Sequence, residues 1–155
     1  KCVAEKKDKT MNEIEKAQKE IIEEFDLCLD WEDRYQMIID MGKKHPDIPD
    51  EYKVEKYRVK GCQSTVHLHA DLEDDRMKLE ATSDAMIVKG LVAVLMRVYN
   101  DRKPSEVLET PPTFIEELGL SKNLSQGRAN GLASMIEQIK LYAQAFLALE
   151  KSKEA

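Results

Sequence analysis

The sequence predicts an α+β fold, a small three-stranded antiparallel sheet packed against helices. Three observations predict it. Apolar residues recur at helical spacing before residue 45 and again after residue 83,. Between those stretches the period drops to about two, as in half-buried strands,. The 155 residues, 42% of them hydrophobic and 35% charged, suit one globular domain with a substantial core,.

The first helix spans Met11–Leu29, with Ile14, Ala17, Ile21, Ile22 and Phe25 on one face,. Asp30 reads as the N-cap of the next helix, with Asp33 in its first turn, where negative charge suits the helix dipole,. Trp31, Tyr35, Ile38, Ile39 and Met41 form its apolar face. Gly42, Lys43, Lys44 and Pro46 supply the stop,. "HPDIPDEYK", 45–53, is a loop.

Three strands follow. Val54–Val59 is read as a short one. Val66, Leu68 and Ala70 alternate with Thr65, His67 and His69, which places the two histidines toward solvent,. After a turn at "LEDD", Met77, Leu79 and Ala81 alternate with polar residues as the second hairpin arm,. Helices must cover the apolar face of this sheet.

Ser83 then caps a helix over Asp84–Tyr99, apolar nearly all round and therefore the most buried,. Gly90 within it marks close packing, since a helical glycine costs about 1 kcal/mol relative to alanine,. Short helical turns lie within "DRKPSEVLETPPT" and "FIEELGL", and Ser125 caps a final helix over Gln126–Leu149. Residues 1–10 read as a disordered or helical-extension tail ahead of Met11, a candidate native start; residues 11–150 form the single domain and 151–155 a C-terminal tail.

The net charge of −6 argues against nucleic acid, which demands a basic surface,. No apolar run approaches the roughly 18 residues that span a bilayer, so no membrane role is expected. No secretory signal pattern is present,. Cysteines at 2, 28 and 62 form neither a disulfide framework nor a zinc cluster, so a reducing, cytoplasmic setting is expected,.

Cys28 on its helical segment reads as a buried small hydrophobe,. Cys62, in "RVKGCQSTVHLHAD", allows three readings: a buried structural thiol, a metal ligand with His67 and His69, or a reactive thiol. Strand parity opposes the metal reading, because Cys62 shares a face with Val66 and Leu68 while the histidines face away,. The basic stretch "KVEKYRVK" beside it is either a solvated strand edge or a positive field favouring a thiolate through Lys56, Arg58 and Lys60,.

Three motifs, in order, extend this picture: Gly61-Cys62-Gln63-Ser64-x-Val66, then Ser83-Asp84-Ala85-x-Ile87-Val88-Lys89-Gly90-Leu91, then Arg128-x-x-Gly131-Leu132. Together they resemble the SufE family of sulfur acceptors in iron–sulfur cluster assembly, over about residues 12–147. The family usually carries tryptophan where this chain has His67, and residues 1–10 have no counterpart in it.

The resemblance implies a SufE/IscU-like two-layer fold and a carrier role. Cys62 takes persulfide sulfur from a SufS/CsdA-like cysteine desulfurase, stimulates that enzyme, and delivers the sulfur to a SufBCD-like iron–sulfur scaffold complex. No cofactor is expected on this chain, and no metal; the pyridoxal phosphate belongs to the desulfurase. Gly61, Gln63, Ser64, Asp84, Lys89 and Arg128 become partner-binding or supporting residues. The bland readings stand beside these. Asp84 suits a helix first turn and Lys89 could simply reach water, but Arg128 opposes its helix dipole and so needs another reason, pairing with Asp84 or contact with the desulfurase. A non-enzymatic, thiol-based docking or redox-sensing module is the alternative function.

Overall fold

Asn12 opens the first helix with a reciprocal cap. Its side chain accepts the Glu15 amide N–H at 2.8 Å, and the Glu15 carboxylate accepts the Asn12 amide N–H at 3.1 Å,. The computed structural model describes residues 11–154. Cys2 and the tail expected over residues 1–10 lie outside it.

Helix α1 runs Glu13–Asp26 and buries Ile14, Ala17, Ile21 and Phe25. Helix α2, Trp31–Lys44, starts where expected, with the Asp30 side chain accepting the Asp33 amide at 2.9 Å. Cys28 falls in the turn between these helices rather than on a helix; it is half-buried, and its thiol donates to Met37 Sδ at 3.8 Å.

The sheet has two strands among the described residues, not three. β1, Val66–Glu73, pairs antiparallel with β2, Arg76–Ser83, from Val66↔Ser83 to Glu73↔Arg76. Asp74 and Asp75, with φ of 52° and 63°, make the tight turn,. Over the expected third strand, Val54–Val59, the chain instead forms a tight 3₁₀ turn at Glu55–Tyr57, preceded in the 45–53 loop by another at Asp50–Tyr52. A single bridge, Arg58↔His67, touches β1.

Aromatic packing accounts for the difference. Tyr52 stacks on His69 with ring centroids 3.7 Å apart, and Tyr57 meets the same ring edge-on at 5.0 Å. His69, expected to face solvent, is therefore 7% exposed, while His67 is half-buried. Alternation on β1 identifies the inner face correctly, but the 50–57 segment covers the other face at His69.

Helix α3, Met86–Tyr99, is the central one. It crosses α2 backbone to backbone: a Cβ on Gly90 would lie 2.2 Å from the Ile38 carbonyl oxygen. Short helices α4 (Pro104–Glu109), α5 (Phe114–Glu117) and α6 (Leu120–Asn123) lead to α7, Gln126–Glu154. That last helix continues past the expected end at Leu149 to Glu154, into the stretch expected as a tail. Among the described residues, no helix is long and apolar enough to cross a membrane.

Candidate functional site: the Cys62 loop

Between the 3₁₀ turns and β1, residues 60–65 form a loop closed at its base by the Val59 amide donating to the Val66 carbonyl at 2.9 Å. Gly61 makes the turn with φ of 91°, a left-handed conformation that suits glycine,. It also lies against α7, where a Cβ would come 2.4 Å from Ser134 Oγ.

The next two side chains rest on glycines of that helix. A Cβ on Gly127 would sit 2.2 Å from Gln63 Oε1, and one on Gly131 would sit 3.5 Å from Cys62 Sγ. The Cys62 thiol donates to the Gly131 carbonyl at 3.5 Å, within the range for sulfur. Gly127, Gly131 and Ser134 fall at i, i+4 and i+7, so one face of α7 receives the loop. At its far end the loop is tied to the β2–α3 junction. The Thr65 amide donates to Asp84 Oδ1 at 3.1 Å, and the Ser83 hydroxyl donates to the Thr65 carbonyl at 2.9 Å.

A cavity of about 410 Å³ opens beside the thiol. Cys62, Gln63 and Ser64 line it from the loop, Val88 and Leu91 from α3, and Ser125, Arg128 and Met135 from α7 and the residue before it. Burial pushes the Cys62 thiol up from its ordinary value of 9.0,. The neighbouring cations do not counter this. Arg58 pairs with Glu55 at 3.8 Å, Lys56 lies 5.2 Å above the Tyr57 ring, and Lys60 is exposed. Lys56, Arg58 and Lys60 serve the 3₁₀ turns and the solvated surface, and the net shift of the thiol is upward, opposite to the thiolate-favouring direction expected of the basic stretch.

Of the predicted supporting residues, Gly61, Gln63, Ser64 and Arg128 converge on Cys62. Asp84 acts one step away, through Thr65, and precedes α3 rather than standing in its first turn. Ser83 caps less directly than expected: its hydroxyl accepts the Ala85 amide at 3.2 Å, ahead of the helix. Lys89 is half-buried and lines a separate polar cavity of about 230 Å³ with Asp47, Lys53, Thr65, His67 and Asp84.

Arg128 does not pair with Asp84. Its guanidinium donates to the Tyr35 hydroxyl at 3.4 Å, and no carboxylate among the described residues lies within salt-bridge distance. Cys62, His67 and His69 are not gathered into a ligand cluster, and among the described residues no three His, Cys, Asp or Glu side chains are placed to hold a metal ion. Ser134 and Gly127 are not singled out by the sequence, and Tyr35 only as part of an apolar helix face; the pair of glycines four apart in an otherwise ordinary helix is the available signal for two close approaches,.

Comparison of the sequence with known proteins points to one family. The family model described as SufE, the Fe–S metabolism associated domain, matches residues 19–143. An uncharacterized SufE-like protein of Rhizobium meliloti is 38% identical over 130 residues, covering 81% of this chain and 93% of that protein. One from Synechocystis is 39% identical over 126 residues, covering 81% and 79%. The solution structure of a hypothetical protein from Thermus thermophilus superposes with a TM-score of 0.71 at 28% identity, over 85% of this chain and 96% of that one.

Proposed function

This chain belongs to the SufE family of Fe–S metabolism, and on that premise we propose that Cys62 is a sulfur acceptor and carrier. The donor is a persulfide on a pyridoxal-phosphate-dependent cysteine desulfurase of the SufS/CsdA kind, and the recipient is a SufBCD-like scaffold. One observation carries the reading: the thiol lies at the tip of a loop clamped at both ends, half-buried beside a cavity with room for a second sulfur.

The transfer is thiol exchange. The Cys62 thiolate attacks the outer sulfur of the donor persulfide, forming a new S–S bond on Cys62. The donor's S–S bond breaks, and its electron pair leaves with the desulfurase cysteine as a thiolate. The sulfur moves without net oxidation, so no external oxidant enters. The proton on Cys62 must depart first, and the departing thiolate is a base of matching strength.

Burial works in two directions here. It disfavours the thiolate in the free protein, so the resting thiol is a poor target for adventitious oxidants,. Val88, Leu91 and Met135 in the cavity wall shelter the loaded sulfur from small reductants. A docking desulfurase that draws the loop away from α7 relieves both effects and stimulates its own turnover. Restricted reactivity in the free state favours the carrier over a redox-sensing module.

The test is site-resolved mass analysis after incubation with a cysteine desulfurase and cysteine. The expected result is a gain of one sulfur at Cys62, lost in Cys62→Ser together with desulfurase stimulation. Sulfur found instead on Cys28 or Cys2, or a mixed disulfide at Cys62 that forms without desulfurase, overturns the proposal.

A further inference from the structure

Arg128 occupies an unusual position for a cation. It sits in the first turn of the 29-residue helix α7, where the helix dipole already gives a positive field although the Ser125 hydroxyl accepts the Arg128 amide at 3.4 Å,. It is half-buried, it lines the Cys62 cavity, and its observed polar partner is the neutral Tyr35 hydroxyl. Two positive contributions thus meet at one wall of a cavity, with no carboxylate among the described residues in contact with the guanidinium to balance them. Such an arrangement favours an anion in the cavity.

The resting thiol is not that anion. It is bonded to the Gly131 carbonyl, an acceptor that suits a protonated sulfur and repels a charged one,. Loading changes the chemistry of the group. Transfer of one sulfane sulfur converts Cys62–SH into Cys62–S–SH, which is a stronger acid than its parent thiol and loses its proton to water. The charge then resides on the outer sulfur, one S–S bond (about 2 Å) beyond Sγ. Gly131 cannot donate to it from its carbonyl, and the open space next to Sγ is the cavity lined by Arg128.

Resting on the carrier reading above, we propose that Arg128 is the counter-ion of the loaded Cys62, holding the outer persulfide sulfur as an anion in the cavity, and that it leaves the unloaded thiol alone. The cavity would then have two charge states. Neutral thiol bonds to Gly131 when empty, and persulfide anion faces Arg128 when full.

The experiment loads Cys62 with inorganic polysulfide, which supplies sulfane sulfur without a desulfurase. Alkylation at Cys62 is followed by peptide mass analysis as a function of pH, for the loaded and unloaded protein. In Arg128→Gln, the midpoint for alkylation of the outer sulfur should rise by about one pH unit, as expected on losing a nearby opposite charge. Arg128→Lys should keep most of the wild-type midpoint, and the unloaded thiol should give the same profile in all three proteins. Superimposable loaded profiles for wild type and Arg128→Gln overturn the proposal. So does an unloaded profile that moves as far as the loaded one. Because loading is chemical, absence of desulfurase-dependent transfer would sink the carrier reading while leaving these profiles measurable.

Discussion

Asp84 and Thr65 exchange two hydrogen bonds: the Thr65 amide donates to Asp84 Oδ1 at 3.1 Å, and the Asp84 amide donates back to the Thr65 carbonyl at 3.3 Å. This exchange ties the far end of the Cys62 loop to the junction between β2 and α3. The near end is tied by Val59 and Val66. Cys62 therefore sits on a span whose mobility is set by its anchors, not by its own contacts alone.

Removing the Asp84 side chain should loosen that span without unfolding the protein. The carboxylate is exposed, so water replaces it as partner of the Thr65 amide, and the global cost should be about 1 kcal/mol or less,. Asp84→Ala should speed hydrogen exchange at the Thr65 amide, while Asp84→Asn, which keeps an acceptor oxygen, should stay near wild type. Equal exchange in all three proteins would mean that Ser83 and the Val59–Val66 pair hold the loop unaided.

The Cys62 thiol should titrate above 9.0 in the free protein, because burial moves it upward. Alkylation at Cys62 as a function of pH measures this directly. Lys56→Ala and Lys60→Ala should leave the midpoint in place; a rise in either variant would restore the thiolate-favouring field read from the basic stretch. The sign for stability follows. The folded thiol keeps its proton to higher pH than the unfolded one, so its contribution is present below 9.0 and is lost as pH rises beyond it,. Cys62→Ser should lose less stability than wild type over that alkaline limb.

Much of this was legible because it is local. The Asp30 cap, the β1–β2 alternation and the close approach at Gly90 each follow from a few consecutive residues and a period,. The missing third strand shows where period fails: Val54–Val59 has strand-like spacing, but Tyr52 and Tyr57 gain more by turning onto His69. Partnerships across long separations were equally hidden. Nothing in the motif at 61–64 points to Ser134, and Arg128 was matched to Asp84 by charge although the fold brings it to Tyr35. Periodicity reports which face is buried, not which distant side chain it meets.

Acid should weaken the protein through one cluster at the start of α1. Arg76 bonds both Glu13 and Asp101, its Nε lying 2.9 Å from Asp101 Oδ1, while Lys78 reaches Asp101 at 2.5 Å and Arg102 reaches Glu13 at 3.4 Å. The Arg76 hydrogen bond holds the Glu13 carboxyl below its ordinary 4.5, and Lys78 followed by Arg76 holds Asp101 below 3.8. Folded carboxyls that are stronger acids contribute stability above those ordinary values and lose it as pH falls through the depressed ones. Both side chains are more than two-fifths exposed, so solvent screens the effect to about 1 kcal/mol or less per pair,. Denaturant titrations should show Arg76→Met less stable at neutral pH, with a flatter acid limb and a weaker salt dependence. An acid limb as steep as wild type would place the titrating groups elsewhere.

His69 offers the sharpest separation of packing from polarity. Its ring is buried against Tyr52 and Tyr57, and its Nδ1 has no hydrogen-bond partner among the described residues; Nε2 lies 3.7 Å from the exposed Asp71. The ring's value here is its face and volume, whereas the unsatisfied nitrogen is a cost. His69→Phe keeps the aromatic contacts and removes that cost, so it should match or exceed wild-type stability. His69→Ala leaves a void beneath both tyrosines and should cost about 2–3 kcal/mol. The loss should travel along the chain, since the 50–57 segment leads directly into Arg58 and Val59 at the base of the Cys62 loop. Faster exchange at the Val59 amide and faster alkylation of Cys62 in His69→Ala, but not in His69→Phe, would register it. If alanine is tolerated as well as phenylalanine, the aromatic cover neither holds the 50–57 segment in place nor steadies the loop that follows it.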